Sequence, residues 1–207
     1  MRDALLYAVI AVLSSSGLPA HAGDITGKIA GWRPAGSGSL RRGVVWLEGG
    51  QELLAVPTKK RPPAVMSQIK GRFVPSFLVV TAGQIVDMPN EDDIAHNVYS
   101  DSPAKTFDLG FYARGTPRSV VFDAPGVVQV ACSIHHLMRA TVVVVPNSYY
   151  ALVNDDGTFR LRNTPKGKYS LKLWGEGLAT SGLQVNVPGT GTLRVQLPAA
   201  SSAPVGP

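Results

Sequence analysis

The sequence predicts an all-β protein, a Greek-key sandwich followed by a small second β-sandwich. Three observations carry that reading. Short runs rich in Val, Ile, Thr and aromatic residues recur along the chain. Most breaks between them hold Gly, Pro, Asn or Asp, and the 207 residues include 22 Gly and 16 Pro. No segment sustains the apolar period that an amphipathic helix needs over ~12 residues. With 44% hydrophobic and 16% charged residues, the composition is that of a globular chain, not a disordered one.

The elements follow in order. Residues 24–30 alternate weakly, and 31–39 form a Gly/Pro/Ser-rich loop. Residues 43–48 are a strand stopped by Gly49-Gly50. Residues 73–80 are a strand interrupted by Pro75, which implies an edge or a bend. A short strand over 84–88 ends at Pro89-Asn90, and strands 119–122 and 127–131 flank the turn Ala124-Pro125-Gly126. Residues 139–145 are a heavily β-branched strand. Pro146-Asn147 closes this pattern, which sets a first domain at 23–146. The second domain, 147–197, holds strand-like runs near 149–153, 158–161, 168–174, 182–187 and 192–197, with Asp156-Gly157 as a hairpin signal. About 50 residues in four or five strands are marginal alone, so this unit is expected to pack on its neighbour. Residues 198–207, small, polar and Pro-rich, are expected to be a disordered tail.

Residues 1–22 read as an export signal. Met1-Arg2 is weakly positive, 4–13 is apolar, and Ala20-His21-Ala22 is a small-residue cleavage site, the three-part layout of a secretory leader. The rival reading is an uncleaved anchor. No other segment approaches the ~18 uninterrupted apolar residues of a spanning helix. The expectation is an exported protein without stable membrane insertion, periplasmic if the source is a Gram-negative bacterium. The net charge of +6 divides evenly, +3 over 24–146 and +3 over 147–207. The longest basic run, Lys59-Lys60-Arg61, precedes Pro62-Pro63 and reads as a solvated loop. That even distribution argues against a nucleic-acid partner.

The chain has one cysteine, Cys132. An exported protein pairs its cysteines or avoids them. The lone thiol is therefore an intermolecular disulfide, an inert buried group, a nucleophile or a metal ligand. Cys132, His135, His136 and Met138 fall within Cys132-Ser133-Ile134-His135-His136-Leu137-Met138. The one other His beyond the leader, His96, opens a loop as His96-Asn97-Val98-Tyr99-Ser100. Between strands 127–131 and 139–145, ligands at Cys132, His135 and Met138 lie on one tight loop and can converge. His96 can close the site from a neighbouring strand end. One thiolate, two imidazoles and one thioether form the ligand set of a blue-copper electron-transfer centre. Structural zinc favours four strong ligands, and Met is a poor one. Iron–sulfur clusters need several cysteines. A nucleophilic Cys132 with His135 as base lacks an evident orienting third group. Met66 and Met88 read as core or edge residues, Trp46 and Trp174 as core anchors, and Glu91-Asp92-Asp93 as a solvated loop.

At these residues the chain resembles the cupredoxins. The spacing Cys132-x-x-His135-x-x-Met138 resembles the short ligand loop of amicyanin more than the longer loops of plastocyanin or azurin. The segments Phe73-Val74-Pro75, Asp87-Met88-Pro89-Asn90, His96-Asn97-Val98-Tyr99-Ser100, Phe107-Asp108-Leu109-Gly110 and Cys132-Ser133-Ile134-His135 are similar to plastocyanin-like methylamine-utilisation proteins. The second unit, with Asn-Asp-Asp-Gly-Thr-Phe and Pro-x-Gly-x-Tyr, resembles a carboxypeptidase-regulatory-like or prealbumin-like sandwich. The cupredoxin resemblance implies one copper per chain, held by His96, Cys132, His135 and Met138. It implies that Asn97 pins the ligand loop by its side chain. His136 departs from the related loops and competes with His135 as ligand or lies at the surface. The implied function is one-electron transfer with transient redox protein partners, and not an enzyme. Two alternatives stand beside it, a copper-binding or delivery protein and a metal-free structural or interaction β-sandwich.

Overall fold

The computed structural model describes residues 22–32, 42–50, 53, 61–116, 118–178 and 181–198. Residues 1–21 of the expected leader (1–22) and 199–207 of the expected tail (198–207) lie outside them, as do residues 33–41 of the first loop and its end and Lys59-Lys60 of the basic run. The described residues form 17 β-strands, and Leu53 alone among them is helical. No helix there is long and apolar enough to cross a membrane.

Ten strands occupy the middle of the chain. They are β3 (Ala64–Val65), β4 (Ser67–Gln68), β5 (Phe73–Val74), β6 (Phe77–Thr81), β7 (Gln84–Asp87), β8 (His96–Ser102), β9 (Lys105–Tyr112), β10 (Ser119–Phe122), β11 (Gly126–Ala131) and β12 (Arg139–Val145). One sheet runs β6-β12-β11-β8-β9, another β10-β7-β3, and β4 pairs with β5. The core of this unit includes Phe73, Phe122, Val98, Val128, Val130 and Val142. Pro75 breaks the 73–80 run as expected. β5 before it pairs with β4, whereas β6 after it pairs with β12.

The remaining strands form a second sandwich, larger than expected. One sheet is β14 (Thr158–Pro165), β1 (Ala22–Ile29) and β17 (Thr192–Leu197). The other is β13 (Tyr150–Leu152), β2 (Gly43–Glu48), β15 (Gly167–Gly175) and β16 (Ser181–Val187). This corrects the expected boundary. Residues 23–29 and 43–48, assigned by sequence to the first domain, pair with strands of the second, and Ala22, assigned to the leader, begins β1. The reason is burial. Ile25, Ile29, Val45 and Leu47 share one core with Phe159, Tyr169, Leu171 and Leu173, and the C-terminal strands alone are too few to cover it. The middle unit is thus an insertion between β2 and β13, whose chain ends meet where Leu47 N donates to Tyr149 O at 3.1 Å. The Asp156-Gly157 turn forms, with Gly157 at φ +83, a conformation that favours glycine. It joins two sheets rather than one hairpin, because β13 pairs with β2 and β14 with β1.

Two strands are buried on both faces, and they join the units. On β12, Val142 and Val144 point into the inserted unit's core, while Val143 and Val145 face outward against Val44, Trp46 and Trp174. On β2, Val45 and Leu47 point into the sandwich and Val44 and Trp46 away from it. That is the period-two alternation of a strand, apolar on each side. Phe77 stacks on Trp174 with ring centroids 5.5 Å apart. The Arg42 guanidinium donates to Ser76 O and Oγ at 3.0 and 2.7 Å.

Candidate metal centre

β11 ends at Ala131, which pairs with Arg139 of β12. The chain must reverse between them. Cys132 N donates to Met138 O at 3.2 Å, and Met138 N donates to His135 O at 2.8 Å. These bonds fix a tight loop with Cys132 at one foot and Met138 at the other. Ala131 also pairs with Tyr99 of β8, so the start of β8, where His96 sits, lies beside that loop. His96 opens a strand, not the loop expected. Its neighbours on β8 are mostly polar, so the apolar alternation that marks other strands is missing there.

Three side chains converge. His96 Nδ1 lies 3.1 Å from His135 Nδ1, and Cys132 Sγ lies 3.7 Å from the same nitrogen. One ligand atom from each of His96, Cys132 and His135 falls within 4.8 Å of the others. His96 is fully buried, Cys132 is buried and His135 is half-buried. Met138 is fully buried in the same core as Cys132. Met66 and Met88 are fully buried in that core too. His136 is exposed, with its carbonyl accepting from Arg139 Nε at 3.2 Å, and it is no member of the three-residue cluster. Two imidazole nitrogens and a thiol sulfur suit a borderline or soft transition metal and do not suit Mg²⁺ or Ca²⁺, which take oxygen ligands. The donor set therefore fits copper.

Asn97 is buried, but its amide donates to Asp108 Oδ1 at 2.6 Å. No hydrogen bond from its side chain to the 132–138 loop occurs among the described residues. It braces β8 against β9, where Asp108 also accepts from Gly110 N at 2.8 Å.

Sequence reasoning missed two groups around the cluster. Asp92, read as solvated, has a side chain only 14% exposed, with Oδ2 2.9 Å from His96 Nε2. Burial works to raise its carboxyl pKa. The Gly71 N–H, the His96 ring and the Lys70 N–H outweigh that and hold it below the usual carboxylate value. Behind His96, Tyr112 is its ladder partner on β9. The Tyr112 hydroxyl donates to Met88 O at 2.7 Å and accepts from Gln68 Nε2 at 2.5 Å. Burial pushes the phenol up to about 12, against the Gln68 hydrogen bond and the Arg118 guanidinium.

No family model matches the chain, and no curated protein matches it. Solved structures do. A methionine-to-alanine variant of amicyanin in the Cu(I) state is 22% identical over 40% of this chain and 81% of that one, with a TM-score of 0.38. The Cu-containing nitrite reductase of Thermus scotoductus SA-01 is 21% identical over 45% of this chain, which spans 25% of that one, with a TM-score of 0.40. A purple cupredoxin from Nitrosopumilus maritimus is 25% identical over 39% of this chain and 98% of its own, with a TM-score of 0.36. The structural neighbours of this all-β chain thus include cupredoxins by name, each likeness spanning less than half of it.

Proposed function

We propose that this chain is an exported blue-copper protein that carries one electron between redox partners. The observation that carries the reading is the convergence of His96 Nδ1, His135 Nδ1 and Cys132 Sγ within 4.8 Å at one end of a β framework. Met138, buried at the foot of the same loop, would be a fourth, weak ligand to one copper per chain. Copper, when bound, would supply the Cu(I)/Cu(II) couple. The chain's own part is rigidity. The hydrogen bonds across the 132–138 loop and the ladder beside β8 keep the ligands in one arrangement for both oxidation states. Four protein ligands leave no open position for a substrate, so the protein is not an enzyme. Ile134 is 52% and Leu137 95% exposed, and they flank the His135-His136 edge as an apolar surface for brief docking. Transient redox encounters bury little area. The sandwich of β1, β2 and β13–β17 acts as a structural base.

Addition of Cu(II) to the purified protein, followed by visible spectroscopy, tests this. We expect intense thiolate–Cu(II) absorption that bleaches on reduction and returns on oxidation. Tight Cu(I) binding without reversible colour supports copper delivery instead. A protein that takes up no copper supports a metal-free structural role. A Cys132→Ser variant with an unchanged spectrum overturns the ligand assignment.

A further inference from the structure

We propose that Asp92 is the positioning residue of His96, a strut that ties the ring to a turn of the β4–β5 hairpin and turns its Nδ1 lone pair toward Cys132 and His135. The inference rests on the metal-site reading above. It begins with the turn. Ile69 and Arg72 exchange backbone hydrogen bonds at 2.9 and 3.1 Å. The two residues between them, Lys70 and Gly71, have φ of 52 and 66. Successive positive φ values are those of a type I′ hairpin turn. The two N–H groups of this turn meet one carboxylate. Lys70 N donates to Asp92 Oδ1 at 2.5 Å and Gly71 N to Oδ2 at 2.8 Å.

Asp92 is held from its other side as well. Its own N–H donates to Asn90 Oδ1 at 2.9 Å, and Asn90 Nδ2 donates in turn to Ile94 O and Tyr112 O. The carboxylate is therefore fixed before it meets the imidazole. Its Oδ2 stands 2.9 Å from His96 Nε2. An ionised carboxylate only accepts hydrogen bonds, so Nε2 must carry the ring proton. A neutral imidazole then has its lone pair at Nδ1, the atom 3.1 Å from His135 Nδ1. The tautomer and the ring angle follow from one contact. Outer groups that hold a ligand in this way change metal affinity by roughly 10- to 100-fold.

The experiment reads the full chain without metal and then with it. Ring ¹⁵N NMR of the metal-free protein reports the His96 tautomer, and competition with a chelator reports Cu(I) affinity. The wild type is expected to hold His96 as the Nε2–H form. In Asp92→Ala the fixed tautomer is lost and Cu(I) affinity falls by roughly 10- to 100-fold, with the circular dichroism spectrum unchanged. Should Asp92→Ala fail to fold, Asp92→Asn keeps the shape and replaces an acceptor by an amide. It is expected to raise the share of the Nδ1–H form and weaken Cu(I) binding. Asp93→Ala is the control. It removes the same charge next door, from an exposed pair with Arg114 at 2.6 Å, and is expected to leave both readings within about twofold. The proposal is overturned if His96 keeps the Nε2–H form without Asp92. It is equally overturned if affinity stays within twofold in both Asp92 variants, or if Asp93→Ala weakens binding as much as Asp92→Ala does. A wild type that binds no copper defeats the copper reading, and the tautomer measurement alone then decides the role of Asp92.

Discussion

The two β units share an architecture and differ in what they bury. The sandwich core is built from side chains such as Ile25, Leu47, Phe159, Leu171 and Leu173. Thr164 is its one buried Ser, Thr, Asn, Gln or His among the described residues. The inserted unit buries Ser67, Gln68, Asn90, His96, Asn97 and Ser100, together with Cys132 and three methionines. Burying a polar group is unfavourable unless it finds hydrogen-bond partners. Asn90, Asn97 and His96 have theirs, in Ile94 and Tyr112, in Asp108, and in Asp92. The difference separates two jobs. The sandwich supplies apolar burial, and the inserted unit places polar and sulfur groups at defined positions.

The strongest challenge to that division is Cys132→Ser. We expect complete loss of thiolate–Cu(II) absorption with the far-ultraviolet circular dichroism spectrum unchanged. If colour survives, the division is wrong at its centre. Next in size is Leu171→Ala, at a fully buried sandwich position. It should cost about 2–5 kcal/mol in urea unfolding and leave Cu(I) affinity unaltered. A shift in affinity shows instead that the apolar unit tunes the site.

Tyr112→Phe sharpens the polar side of the comparison. It removes the hydroxyl that links Gln68 to Met88, at about 1–3 kcal/mol. The phenol also predicts a pH signature. Its pKa rises from 10.0 when unfolded to about 12 when folded, because burial disfavours the phenolate. Folding thus favours the protonated form. This contribution is complete below pH 10 and disappears as pH climbs through about 12. Alkaline unfolding of the wild type should show that added loss, and Tyr112→Phe should lack it. Leu137→Ser is the smallest change. At 95% exposure it should alter stability by no more than about 0.5 kcal/mol. Electron transfer to a partner should still slow, as measured by stopped flow.

Much of this division is readable before any coordinates. Cys132, His135 and Met138 lie on one loop because strands 127–131 and 139–145 bracket it, and both strands announce themselves by Val content. His96 stands out because imidazoles are scarce. What fails to show is long-range pairing. Nothing in the alternation of residues 22–29 says that they bond to Thr192–Leu197 on one side and Thr158–Pro165 on the other. Local composition marks the change at 146 but not the partners of β1 and β2, so both strands read as part of the first domain. β8 escapes notice for the opposite reason. Its buried positions are His96, Asn97, Val98 and Ser100, three of them polar, so hydrophobic periodicity is nearly silent. Asp92 is hidden because a carboxylate in an acidic run looks solvated until the Lys70–Gly71 turn is seen beside it.

The placement of the ten-strand unit between β2 and β13 divides the sandwich into two separated stretches of chain. β1 and β2 precede the inserted unit in the chain, and their partners β14, β15 and β17 follow it. The ten middle strands complete their own pairings in the interval. β1 and β2 are therefore completed only by strands that lie beyond the inserted unit. A domain folds as a unit, so the inserted unit can close on itself, whereas the sandwich needs the segments on both sides of it.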